Sequence, residues 1–153
     1  MRYLVRHADA GDKLQWSGPD EQRPLSDVGR REAEGLVSLL AGFPIVRIVS
    51  SPAVRCRQTV EPLANERHLQ LSVDTGLAVG ADLDRAVELL VHPDADEVAW
   101  CSHRELIAPL IVRLRERGAP IGDDADWPKA SVWVFDVADG SIASAMYLPP
   151  VRG

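Results

Sequence analysis

Short apolar runs alternate with longer stretches of helical spacing along most of this chain, and that alternation limits the folds open to it. Residues 2–6, 45–49, 69–73 and 97–101 read as buried strands. Between them apolar residues recur every three or four positions, as in Val28, Ala33, Leu36, Val37 and Leu40 of a helix expected over about 27–41. Ser26 is placed to cap that helix, and Gly42 and Pro44 end it. Ser51-Pro52 predicts a second helix start, with the serine hydroxyl as cap and the proline in the first turn, running to about Arg67. Further helices are expected over 82–91 and 104–117, and a hairpin at 132–137 and 142–147 turning on Asp139-Gly140. Parallel strands need crossover connections, and helices supply them. The pattern therefore predicts an α/β three-layer sandwich with a mainly parallel central sheet flanked by helices. The 153 residues are expected to form one domain over 1–153.

Several classes are excluded. A net charge of -6 argues against a nucleic-acid binder. No window approaches the ~18 apolar residues that would span a membrane, and residue 1 is not followed by a secretory leader pattern, so a cytoplasmic protein is expected. Cys56 and Cys101 lack zinc spacing and are expected to be reduced, partly buried thiols. Arginine far outnumbers lysine, which occurs only at Lys13 and Lys129. Arginine's rigid fork suits phosphate.

Ligands in parallel α/β sheets sit at the carboxyl ends of strands. Here the first strand ends in Arg6-His7, the second leads to Arg55, and the fourth ends at His103. Two imidazoles and two guanidiniums could thus share one rim. A neutral imidazole can attack phosphorus and form a covalent intermediate. Two arginines can hold the phosphoryl oxygens, and a second histidine, charged while substrate is bound, can stabilise the transition state. No metal or cofactor is expected. His68 and His92 fall at helix ends, where a structural role is expected. Arg30, Arg31 and Arg57 are expected to be solvated or ion-paired, and Ser51 to serve as a cap. Residues 8–25, rich in glycine and proline, read as a surface flap in which Trp16 either stacks on substrate or pins the loop.

Leu4-Val5-Arg6-His7-Ala8, Arg23-Pro24-Leu25-Ser26-Asp27-Val28-Gly29-Arg30-Arg31-Glu32-Ala33, Ser50-Ser51-Pro52-Ala53-Val54-Arg55-Cys56-Arg57-Gln58-Thr59 and Trp100-Cys101-Ser102-His103 resemble, in order, four motifs of the histidine phosphatase superfamily, the phosphoglycerate-mutase-like proteins. The compact length and the Ala8 variant look most like its small phosphohistidine phosphatase branch, and also like phosphatase domains attached to some bacterial Nudix hydrolases. The resemblance implies that His7 is transiently phosphorylated within a pocket of Arg6, Arg55 and His103. It implies a phosphorylated protein or a small-molecule phosphate as substrate. The alternatives are a nucleotide or phosphoanhydride phosphatase, and a module that binds phosphate without turnover. Many members carry a glutamate acid after the third strand. Residues 74–82 have none, so Asp82, then Asp84 or Asp9, are the candidates, although a carboxylate at a helix start also serves as a cap. Without an acid, substrates with good leaving groups are favoured. Arg104 replaces a common glycine and either adds a phosphate contact or points outward.

Overall fold

Alternation along each strand sends neighbouring side chains to opposite faces, and the structure divides its core accordingly. A computed structural model describes residues 1–151. Its elements run β1 (Arg2–Arg6), α1 (Asp27–Leu39), β2 (Arg47–Ser50), α2 (Val54–Arg67), β3 (Leu71–Val73), α3 (Leu83–Val91), β4 (Val98–Ser102), α4 (Arg104–Glu116), β5 (Val132–Ala138) and β6 (Ser141–Leu148). One six-stranded sheet has the order β3-β2-β4-β1-β5-β6. The pairings among β1 to β4 are parallel, and β5 and β6 close the edge as an antiparallel hairpin. Tyr3, Val5, Ala99 and Cys101 pack under α1 and α2 with Leu36, Leu40, Val60 and Leu63. Leu4, Val98 and Trp100 face the other way, onto Val87 and Leu90 of α3 and Ile107, Leu110 and Ile111 of α4. The three-layer sandwich predicted from sequence is the fold observed. Among the described residues no helix is long and apolar enough to cross a membrane. Both cysteines are buried free thiols.

The boundaries differ in one informative place. Helix α2 starts at Val54, with Ala53 as an N-cap that makes no side-chain bond. Ser51 is therefore not the helix cap expected. Its hydroxyl lies 2.8 Å from His103 Nε2 and accepts a bond from the Ala53 N–H. Ser26 does cap α1, accepting from the Gly29 N–H at 3.1 Å. Within the flap, Lys13–Gln15 and Asp20–Gln22 form short 3-10 turns.

The segment after β1 is held from three sides. The Ala8 N–H donates to Thr59 Oγ1 at 2.9 Å, and the Thr59 hydroxyl donates to the Arg55 carbonyl. The Asp9 N–H donates to the buried Glu32, and the Ser26 N–H donates to the Asp9 carbonyl at 3.0 Å. Helix α1 approaches so closely that a Cβ on Gly29 would sit 1.9 Å from the Asp9 carbonyl oxygen. Only glycine fits that contact. Gly29→Ala is expected to cost at least the ~1–3 kcal/mol typical of overpacking, read as a lower denaturant midpoint. An unchanged midpoint would show that α1 can back away from Asp9.

Candidate active site

The parallel pairing of β1 with β4 puts Arg6 opposite Ser102, so the residues that follow, His7 and His103, emerge side by side. Their ring centroids are 5.6 Å apart at an interplanar angle of 66°. Strand β2 flanks β4 on its other side, pairing Ser50 with Cys101, and this brings the first turn of α2 and Arg55 to the same rim. All three side chains are buried, with His7 8%, Arg55 3% and His103 1% exposed.

Hydrogen-bond chemistry fixes how the rings are used. His7 Nδ1 lies 2.7 Å from the Ala8 carbonyl, which can only accept, so Nδ1 carries the proton and Nε2 keeps its lone pair. Burial is the main cause that pushes the His7 pKa down, to about 3, with the charges of Arg55 and Arg6 adding to it against the Ala8 hydrogen bond. His7 is thus a neutral imidazole at physiological pH. For His103 the roles reverse. Arg55 Nη2, a donor only, lies 3.3 Å from Nδ1, so Nδ1 accepts and Nε2–H donates to Ser51 Oγ.

Arg6 lines the hollow around His7 and donates to the Trp127 carbonyl at 3.1 Å. Burial, then the nearby charge of Arg104, lowers its pKa. This hollow, of about 220 Å³, is also walled by Lys13, Asp20, Arg23, Arg55, Glu105 and Lys129. A second hollow of about 120 Å³ opens beside His103, between Asp20, Glu21, Pro52, Ala53, Ala78 and Val79.

The acid candidates are not gathered here. Asp82 caps α3 by accepting from the Asp84 N–H, and lines neither hollow. Asp84 pairs with Arg113. Asp9 accepts from Ser26 Oγ and from Lys129 Nζ at 2.9 Å. Those two bonds hold its carboxyl at about 2, too low for a proton donor near neutrality. Arg104 is exposed at the start of α4, outside both walls. Trp16 is pinned within the flap, donating from Nε1 to the Pro19 carbonyl. Sequence reasoning passed over Asp20, Arg23 and Lys129 as site residues. Asp20 binds both Arg55 (3.0 Å) and Arg23 (3.1 Å). The Asp20-x-x-Arg23 spacing across a short turn carried no signal that would single it out.

The family model for the histidine phosphatase superfamily (branch 1) matches residues 2–80. This chain belongs to that superfamily. It is 33% identical, over 96% of its length, to an 8-oxo-(d)GTP phosphatase of Mycolicibacterium smegmatis, of which it covers 47%. The chain thus spans about half the length of that curated relative. Among solved structures, the protein histidine phosphatase SixA complexed with tungstate superposes with a TM-score of 0.75 at 20% identity, over 99% of this chain and 96% of that one. Bacillus stearothermophilus YhfR does so at 0.74 and 17%, over 94% of each chain. These structures share the fold of this chain.

The depressed His7 pKa has a thermodynamic consequence. The unfolded chain binds a proton at about 6.5 and the folded one only near 3. The stability tied to the neutral ring is therefore complete above pH 6.5 and falls away as pH drops toward 3. From pH 7 to pH 5 the wild type should lose about 2 kcal/mol more than His7→Gln, measured by urea unfolding at each pH. Equal losses would mean that His7 is readily protonated in the folded protein.

Proposed function

We propose that this domain, spanning the chain, is a phosphatase that works through a phosphohistidine intermediate on His7. The observation that carries the reading is a neutral, buried imidazole whose Nδ1–H is fixed on the Ala8 carbonyl, with Nε2 free and His103 and Arg55 beside it. Nε2 attacks phosphorus, and the bond to the leaving group breaks. The Nδ1–H then carries positive charge, which the Ala8 carbonyl stabilises. Arg6 and Arg55 neutralise the phosphoryl oxygens as charge builds on them, and His103 can turn its Nε2–H from Ser51 to donate to them. Water next cleaves the N–P bond, releasing orthophosphate and restoring the imidazole. A neutral ring with an available lone pair argues against the reading as a module that only binds phosphate.

The three acid candidates do not stand at the imidazoles, and Glu105 is the carboxylate left without an ion pair, among the described residues, in the wall of the His7 hollow; if Glu105 gives no proton, leaving groups that depart with little protonation are favoured. Phosphohistidine of a protein and phosphoanhydrides meet that condition better than alkyl phosphates. A second reading within the same mechanism, hydrolysis of a nucleotide phosphoanhydride, is favoured by the 33% identity to the 8-oxo-(d)GTP phosphatase.

Phosphoryl transfer can be followed with a radiolabelled substrate. Acid-labile, alkali-stable label is expected on His7 and absent from His7→Ala; a His7→Ala protein that still turns over substrate refutes the mechanism. Arg55→Ala is expected to lower kcat/KM by about 10²–10³. Across phosphohistidine peptide, nucleoside diphosphates and triphosphates, and an alkyl phosphate, rates should fall as leaving-group basicity rises. Equal rates would point to an acid outside Asp9, Asp82 and Asp84. EDTA treatment should leave turnover unchanged.

A further inference from the structure

A buried guanidinium is costly unless an anion meets it. Arg55 is 3% exposed, and among the described residues Asp20 is the one carboxylate in ion-pair contact with it. The contact has two prongs. Arg55 Nη1 donates to the Asp20 carbonyl at 2.7 Å, and Nη2 donates to Asp20 Oδ2 at 3.0 Å. Two oxygens on two guanidinium nitrogens is the geometry in which arginine holds a phosphoryl group.

Asp20 belongs to the flap, not to the sheet or its helices. Residues 11–19 are exposed, and the flap is tied down chiefly through Asp20 and Arg23. Arg23 Nε meets Asp20 Oδ1, and Arg23 Nη1 donates to the Ala10 carbonyl at 2.7 Å. Gly11, at φ +69 and with open space where a Cβ would stand, can absorb rotation at one end. Asp20 and Arg55 also line both hollows, so together they form the wall between the His7 side and the His103 side.

We propose that Asp20 is a resident counter-anion on Arg55, which the phosphoryl group of the substrate displaces by swinging out the largely exposed 11–20 part of the flap, while residues 8–10 and 24–25 stay packed. The exchange lets Arg55 keep its buried charge neutralised in both states. It makes the flap report on phosphate, and it joins the two hollows into one space for the leaving group. This rests on the reading of Arg55 as a phosphate ligand. Asp20 acts through Arg55 and is a positioning residue, not a catalytic one.

Orthophosphate is the probe, and its binding is measured by calorimetry, so turnover is not required. Asp20→Asn keeps the size of the side chain and the backbone prong but removes the competing charge. It should bind orthophosphate about fivefold tighter or more, while Asp20→Glu stays near wild type. In the wild type, orthophosphate should change Trp16 emission, and Trp16→Phe should abolish that change. Equal or weaker binding by Asp20→Asn, equal tightening by Asp20→Glu, or flap emission indifferent to phosphate overturns the proposal. The emission measurement stands even where Asp20→Asn folds poorly. Arg55→Ala separates the two readings: if it binds orthophosphate as well as the wild type, the assignment of the phosphate pocket itself has failed.

Discussion

The burial of Arg55 is the constraint around which the site is arranged. A guanidinium nearly sealed from water must find charge or lone pairs close by. It finds the Asp20 carboxylate and carbonyl from the flap and the Nδ1 lone pair of His103. Each partner is fixed in turn. His103 is held in one tautomer with its other nitrogen on Ser51, and the flap is drawn down over the strand ends. A surface loop and the tip of a central strand are thus tied to one charge on the first turn of α2.

His7, the proposed nucleophile, depends on a different set of bonds. Beyond β1 the chain leaves the sheet ladder, and its polar groups must be met elsewhere. Thr59 from α2, with Glu32 and Ser26 from α1 and its cap, meet those of Ala8 and Asp9. Gly29 allows the approach. The second and third motifs therefore have two roles. They start helices, and they fix the backbone whose carbonyl at Ala8 sets the tautomer of His7. A ring held in this way loses little on reaching its reactive geometry.

The arrangement is richer in cations than in carboxylates. Arg6, Arg55 and the lysines suit an anionic phosphoryl group, while two of the carboxylates nearby are committed, Asp9 to Ser26 and Lys129 and Asp20 to two arginines, which leaves Glu105 as the carboxylate in the wall of the His7 hollow without an ion pair among the described residues. Burial alone would raise the Asp20 carboxyl, but Arg23 and Arg55 outweigh it and hold the group below its ordinary range.

The sequence by itself determined the three layers, the approximate strand and helix order, and the strand tips that carry Arg6, His7 and His103, because periodicity and turn residues are local signals. It also marked Arg55 through the motif it belongs to. Only the tertiary structure decided that β1 lies next to β4 and β4 next to β2, the order that makes those tips converge. It decided that Ser51 serves His103 and not the helix end, and that Asp82 caps α3 away from the imidazoles. Asp20 was legible from no local pattern: an aspartate in a polar loop gains its meaning from a guanidinium 35 positions away in the chain, and only folding brings the two together.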